Sequence, residues 1–163
     1  MKKWVLIAIL AVLVVISYSV YIYKETMGGK LQGEAKALIV AKEKKNLKKV
    51  TNVDYYNGMT SYKVVQGADN KGVQWIVWVP SKRGKVLSSK KTDGISSEEA
   101  IRILREDNRP FMQDKQPKQI IKVKLGAEND VPLWEITYID HDNRYTYYYL
   151  NFKDGKYAGV YSI

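Results

Sequence analysis

The sequence contains no cysteine and a single histidine, His141, among its 163 residues. Without cysteine, the chain has no disulfide framework, no thiolate zinc site, no cysteine nucleophile and no cysteine for lipid attachment. One histidine also excludes every site that needs two of them. Hydrophobic residues make up 45% of the chain, as in an ordinary folded protein, so it is not a disordered tail. The length allows a membrane anchor and about one ordinary domain or two small ones.

Motifs of known active sites are also missing. There is no Gly-rich phosphate loop, and a Ser-His-Asp triad using His141 would lack a Gly-x-Ser-x-Gly elbow. Asp140, His141 and Asp142 are metal-binding residue types, but consecutive residues on a tight turn rarely converge on one ion, so we interpret them as hairpin-turn residues. Two of the 17 acidic residues converging for glycan cleavage is an alternative that the sequence leaves open. We therefore predict a non-enzyme without catalytic, metal-binding or cofactor-binding residues.

Residues 4–23 form a long hydrophobic run that no charge interrupts. As a helix rising about 1.5 Å per residue, this run crosses a bilayer core of roughly 30 Å. Aromatic rings lie at both ends, where they prefer the headgroup region: Trp4 at one end and Tyr18, Tyr21 and Tyr23 at the other. A cleaved signal peptide is the alternative, but its apolar stretch is shorter and ends at a small-x-small site, of which Ser17-Tyr18-Ser19 is a poor version. An uncleaved transmembrane anchor is favoured.

The charges beside this run predict its orientation. Lys2, Lys3 and the initiating amine favour a cytoplasmic N-terminal tail, residues 1–3, by the positive-inside rule. Lys24 and Lys30 favour the opposite orientation, but a three-residue tail is easily retained. The rest of the chain then lies outside the cell membrane, and its lack of cysteine favours a surface such as that of a Gram-positive cell.

An internal repeat appears when the chain is aligned with itself at an offset of 59. The block that begins at Val64 matches the block that begins at Val123 at five of 14 positions, including Trp75 with Trp134. Each block reads as a strand, a polar turn and a second strand that a tryptophan anchors to a core.

Equivalent elements flank both blocks. A helix from Glu34 precedes the first, and a helix with a Ser96–Glu99 capping box precedes the second; further strands follow each block. We predict a linker over 24–30, a first α-β-β-β module over 31–92 and a second module with four strands over 93–163. Each helix lies on a small antiparallel sheet, which makes the fold class α+β, and such small modules should share an interface.

The net charge of +10 is concentrated in the membrane-proximal module. Residues 24–92 contain 15 basic and 5 acidic side chains, whereas residues 93–163 contain 10 and 12. Five lysines are predicted to lie at one helix end and to contact a polyanion: Lys42, Lys44, Lys45, Lys48 and Lys49. Outside a cell, the available polyanions are anionic lipid and teichoic acid, whereas the topology excludes nucleic acid. The alternative is a solvated helix face whose lysine stems cover apolar surface.

Tyrosines are densest in the segment 145–149. With the two-residue period of a strand, Tyr145, Tyr147 and Tyr149 share one face, and Tyr148 lies on the other. One face belongs to the core. The Tyr145, Tyr147 and Tyr149 face is either packed between the two modules, which is favoured, or exposed as a surface for a partner.

The anchor followed by two helix-then-sheet repeats resembles the PepSY and cystatin-like modules of bacterial surface proteins. Over nearly its full length the chain is similar to the TseB or YpmB-like family of Gram-positive cell-wall elongation regulators. The resemblance is carried by the Lys-Lys-Trp anchor, the two tryptophan repeats, the Gly-Ile-Ser-Ser-Glu-Glu-Ala-Ile helix start at Gly94 and the Asp-Gly-Lys-Tyr turn at Asp154.

This resemblance implies a single-pass membrane protein that modulates a class B penicillin-binding protein, and with it peptidoglycan elongation and cell shape. No catalytic residues are implied. The PepSY kinship separately implies an inhibitor or regulator of a surface protease. The Gln-x-Val-x-Gly loop of cystatins is missing, however, because Gln66 and Gly67 are adjacent in this chain.

Overall fold

The structure is a computed structural model that describes residues 2–163, apart from the side chains of residues 2, 5–8 and 30. Met1 and the side chains of Lys2 and Lys30, on which part of the orientation prediction depends, lie outside the described residues. The chain divides into two compact units, one up to Lys36 and one from Ala37 to Ile163. The first unit is helical, and all of the β-sheet lies in the second.

Helix α1 runs without a break from Lys2 to Lys45. Residues 24–30, predicted as a linker, are helical because the segment contains no proline and glycine costs a helix only about 1 kcal/mol per residue. The apolar side chains described between Ile9 and Tyr23 are exposed. Among the described residues, α1 is the one helix that is long and apolar enough to cross a membrane.

The second unit contains two four-stranded antiparallel sheets, and the strands of each sheet are neighbours in chain order. Sheet 1 consists of β1 (Leu47–Asn57), β2 (Ser61–Asp69), β3 (Gln74–Pro80) and β4 (Leu87–Lys90). After a short 3₁₀ turn come α2 (Ser97–Glu106) and a second 3₁₀ turn (Pro110–Lys115). Sheet 2 then consists of β5 (Pro117–Glu128), β6 (Val131–Asp140), β7 (Tyr145–Asn151) and β8 (Tyr157–Ser162). The predicted α+β class is confirmed.

Each sheet has its own helix. The last turns of α1 bury Ala37 and Ala41 against Val65 and Val77 of sheet 1. Helix α2 buries Ala100 and Leu104 in a second cluster, whose other members are Met112, Ile136, Tyr138, Tyr148 and Leu150. Small residues on the helices allow both to lie close to their sheets.

Strand β1 corrects the prediction of three strands in the first module. Asn46 ends α1 in the left-handed conformation, with φ of 51°, and turns the chain directly into β1. Lys48 and Lys49 therefore lie on this strand and not on the helix. Two register shifts interrupt the pairing of β1 with β2, and most of the strand is exposed, so it lacks a clear two-residue hydrophobic period.

The start of α2 agrees with half of the predicted capping box. The Ser96 hydroxyl accepts the Glu99 N–H at 3.1 Å. The Glu99 carboxylate does not return to the Ser96 backbone; it accepts two hydrogen bonds from Arg102, the shorter at 2.5 Å. An ion pair one turn along the helix replaces the second half of the motif.

A third apolar cluster joins the two sheets. Sheet 1 contributes Tyr56, Tyr62, Val64, Ile76, Trp78 and Leu87, and the second module contributes Leu125, Ala127, Leu133 and Phe152. Trp78 is fully buried, and the edge of its ring system meets Phe152 with ring centroids 5.6 Å apart. The small size of the modules led us to expect an interface between them. That interface is a buried hydrophobic core, in which each sheet covers apolar side chains of the other.

Tyr56 makes a close contact across this interface. Its buried ring lies against Gly126 of β5, where any Cβ would overlap ring atoms. Its hydroxyl donates a hydrogen bond of 2.8 Å to Glu128, which also accepts the Met59 N–H at 3.0 Å. Tyr62 donates likewise to Asp130 at 3.2 Å. The β5–β6 hairpin is thereby fixed against the β1–β2 hairpin.

We predict that Gly126→Ala destabilises the protein by about 1–3 kcal/mol, because the added methyl group overpacks the buried Tyr56 ring. The measurement is urea unfolding of the detergent-solubilised chain followed by tryptophan fluorescence. Gly159→Ala, in β8, is the matched control, because its Cβ would lie at an ordinary 3.8 Å from Tyr149. Equal stability of the two variants would contradict the close approach.

We also predict that the interface weakens at alkaline pH. Burial, with the hydrogen bond to Glu128, raises the pKa of Tyr56 well above its ordinary value of 10.0. The resulting stabilisation is complete below about pH 10 and is lost as the pH rises further, because only the unfolded state then ionises this tyrosine. Tyr56→Phe should therefore lose less stability between about pH 8 and pH 10.5 than the wild type. Parallel pH curves from urea unfolding would argue against this role of Tyr56.

Candidate functional site

The three tyrosines predicted as a partner surface share one face of β7, but they differ in environment. Tyr149 is half-buried and packs against the cluster between the sheets. Tyr147 is half-buried, and Tyr145 is 50% exposed. The first module thus covers one end of this face of sheet 2 and leaves the other end open. Packing between the modules therefore applies to Tyr149, and exposure at the surface applies to Tyr145.

A fourth tyrosine, Tyr161 of β8, extends the open end. It lies opposite Tyr147 in the ladder and is 60% exposed. Sequence reasoning missed it. In a regular strand, residues four apart share a face, so Tyr161 would lie with Tyr157 on the α2 side of sheet 2. A bulge at Ala158 shifts the register between Tyr149–Gly159 and Leu150–Tyr157.

The bulge places the two β8 tyrosines on opposite faces of sheet 2. The Tyr157 ring lies 5.5 Å from that of Tyr148 on the α2 side. We call Tyr145, Tyr147 and Tyr161 the open tyrosine face. No pattern in the sequence reveals this bulge, so only the register of the folded hairpin identifies the third member.

The covered end of the same face contains an ion pair. Lys124 and Glu135 form an ion pair of 3.1 Å in which both side chains are largely buried. Burial raises the pKa of the neighbouring Tyr149, and Glu135 raises it further, so this tyrosine remains protonated at physiological pH. The ion pair is therefore part of the sheet interface, whereas Tyr145 and Tyr161 lie beyond it and are exposed.

The five predicted polyanion-binding lysines lie on two elements that meet at one end of sheet 1. Lys42, Lys44 and the half-buried Lys45 are in the last turn of α1, and Lys48 and Lys49 are exposed at the start of β1. Lys90, at the end of β4, joins them because Trp75 is its partner in the β3–β4 ladder. We call these six residues the lysine rim. Strand order, which the sequence does not reveal, is what adds Lys90.

Trp75 is the centre of the lysine rim. The Lys45 ammonium lies 4.0 Å from its ring centroid and that of Lys90 lies 6.0 Å away. The indole N–H donates a 3.0 Å hydrogen bond to Asp69, and this bond is the main cause of the lowered pKa of that carboxyl group. Asp69 thus fixes the ring, and the ring positions two of the lysines.

The turn from Asp140 to Asn143 has the structure expected of a hairpin. Asp140 is buried and accepts hydrogen bonds from Arg144 at 2.8 Å and from Thr146 at 3.1 Å. Burial raises the pKa of Asp140, but these bonds outweigh it and lower the pKa overall. His141 and Asp142 are exposed. Among the described residues, no three His, Cys, Asp or Glu side chains are grouped as metal ligands would be.

Two family models match this chain. The cell wall elongation regulator TseB-like domain matches residues 34–80, which cover the end of α1 and strands β1 to β3. The peptidase propeptide and YPEB domain, named PepSY, matches residues 94–161, which cover α2 and sheet 2.

Whole-chain comparisons give the same result. The chain is 38% identical over 151 residues to a Bacillus subtilis (strain 168) protein named "Probable cell wall elongation regulator TseB", which covers 92% of this chain and 88% of that protein. The solved structure of the YpmB protein from Bacillus subtilis is similar, with a TM-score of 0.69 and 32% identity over 79% of this chain and 96% of that one.

Proposed function

Because this chain belongs to the family of TseB-like cell wall elongation regulators, we propose that it is a membrane-anchored, non-catalytic regulator of peptidoglycan elongation. Its extracytoplasmic modules bind a class B penicillin-binding protein and adjust the activity of that enzyme. The partner class follows from the family resemblance, and the rest of the proposal is argued from the described residues.

The anchor is the apolar part of α1. A helix that exposes its large apolar side chains from Ile9 to Tyr23 requires an apolar solvent, which the bilayer supplies. Lys2 and Lys3 keep the N-terminus in the cytoplasm, so both modules lie on the outer side of the cell membrane. The modules are thus in the compartment where peptidoglycan is assembled.

The observation that carries the proposal is the open tyrosine face. Tyrosine is enriched in protein interfaces and among the residues that dominate their binding energy. Tyr145 and Tyr161 are half or more exposed on a rigid sheet, so binding a partner requires little ordering of the chain. The shared core fixes this face relative to the first module, and a partner therefore meets one preformed surface.

We predict that a photo-crosslinking residue at Tyr161 captures a transpeptidase in living Gram-positive cells. The same residue at Tyr157 is the matched control, because Tyr157 lies on the same strand, is 36% exposed and faces α2. Mass spectrometry identifies the captured protein. Capture from Tyr157 but not from Tyr161, or capture of unrelated proteins together with normal cell shape after gene deletion, would defeat the proposal.

Loss of the two most exposed rings should weaken the complex. We predict that the Tyr145→Ser and Tyr161→Ser double variant raises the Kd for the purified penicillin-binding protein about tenfold or more, as loss of interface tyrosines typically does. Biolayer interferometry on the full chain in lipid nanodiscs measures the Kd, and circular dichroism checks the fold. Tyr55→Ser, which removes a ring 47% exposed on sheet 1, should leave the Kd unchanged.

A second candidate function, regulation of a surface protease, is favoured by the match of residues 94–161 to the peptidase propeptide domain. In this case the full chain in nanodiscs should slow peptide hydrolysis by a membrane-associated protease. No slowing across a panel of such proteases would eliminate this candidate and leave the first untouched.

A further inference from the structure

We propose that the lysine rim is a binding site for a phosphodiester polymer of the cell wall, a chain of polyol units linked by phosphates. The site is separate from the open tyrosine face. The inference rests on the extracytoplasmic placement proposed above, which brings the rim and such polymers into one compartment.

The first argument is the way that sheet topology concentrates positive charge. Strand β1 begins at the end of sheet 1 where β2 ends, because Leu47 is paired with Asp69. Strand β3 begins and β4 ends at the same place, because Trp75 is paired with Lys90. Helix α1 ends there too, since Asn46 is the single residue between it and β1. Lysines that are far apart in the sequence therefore share one edge of the molecule.

The second argument is the lack of ion pairs to the lysines of the rim. Within the described part of the chain, every ion pair uses a basic residue of the second module, between Arg102 and Lys156. The carboxylate of Asp69 is occupied by the Trp75 N–H and by the Lys71 and Val73 backbone. The six positive charges of the rim are in none of these ion pairs, and they outnumber the neighbouring carboxylates of Glu43, Asp69 and Asp93.

Stabilisation of the helix end explains only part of this arrangement. Lys42, Lys44 and Lys45 complement the negative end of the α1 dipole, as basic residues commonly do. Lys48 and Lys49 lie on a strand, and Lys90 lies three strands away, so the helix dipole accounts for none of them. Concentrating like charges without ion pairs opposes folding, and binding of an anion removes that repulsion.

The dimensions favour a polymer over a single phosphate. Neighbouring strands are about 4.8 Å apart, so β1 and β4 are separated by three spacings, about 14 Å. Lysines on β1 and β4 therefore span a width that several successive phosphates of one chain can follow, with Lys90 on the Trp75 face of the sheet and Lys49 on the other face. The half-buried Trp75 ring offers an apolar contact to the carbon atoms of a polyol beside Lys45 and Lys90.

The residue type suits anionic groups at varied positions. Arg83, at the other end of sheet 1, is the only arginine among residues 24–92, and the other basic residues there are lysines. Lysine acts as a point charge, whereas arginine makes planar two-point contacts with carboxylates and phosphates alike. Point charges therefore tolerate the changing phosphate positions of a flexible polymer.

The test is titration of the full chain, held in nanodiscs of zwitterionic phosphatidylcholine, with a synthetic glycerol-phosphate hexamer. We expect binding at low salt that weakens steeply from about 0.05 M to about 0.5 M NaCl, because screening lengths shrink over that range. The triple variant K44Q/K48Q/K49Q should raise the Kd about tenfold or more. It leaves Lys45 and Lys90 in contact with Trp75, so the fold is kept.

The matched control is K82Q/R83Q/K85Q. These three exposed residues lie in the β3–β4 loop, at the opposite end of sheet 1, so the control loses the same charge from the same module. Its Kd should remain within about twofold of the wild type. Equal losses in both triple variants would show a general charge effect and overturn the proposal, as would salt-independent binding or no binding at low salt.

Two further arms separate the alternatives. If vesicles containing phosphatidylglycerol displace the hexamer at an equal phosphate concentration, the rim is a lipid site and the proposal fails. The double variant Y145S/Y161S should bind the hexamer as the wild type does. If the protein binds the hexamer but no transpeptidase, the lysine rim inference stands and only the proposed regulatory partner is refuted.

Discussion

The close approach of Tyr56 to Gly126 is the contact on which the rest of the structure depends. Only a residue without a side chain allows the buried ring to lie directly on β5, and from there its hydroxyl group reaches Glu128. This contact brings the two sheets near enough to bury Trp78 and Phe152 between them. Two modules that are each too small for a robust core thereby become one folded body.

A rigid pair of modules divides its surface between two kinds of chemistry. The second module forms its ion pairs internally and presents neutral tyrosine side chains, Tyr145 and Tyr161, at the uncovered end of sheet 2. The first module presents a row of lysines around Trp75. The two proposed contacts, with a wall-synthesis enzyme and with a wall polymer, therefore use different surfaces.

Local patterns predicted much of this fold, and the failures have identifiable causes. The start of α2 at Ser96 and the turn at Asp154 were predictable because caps and turns depend on a few adjacent residues. Strand β1 was missed because an exposed, bulged edge strand has no regular hydrophobic period. Tyr161 was missed because one extra residue, Ala158, reverses the direction of every side chain that follows it in the strand.

The sequence by itself determined the apolar run of residues 4–23, the α+β class, the concentration of lysine in the first module and the family, because composition and short-range patterns are sufficient for each. Only the tertiary structure decided which lysines and which tyrosines lie together. The β3–β4 pairing places Lys90 in the lysine rim. Tyr149 is not part of the exposed surface, because the first module covers it. Both results depend on contacts between segments that are distant in the sequence. These contacts are stabilised by packing between the segments, so no local sequence pattern predicts them.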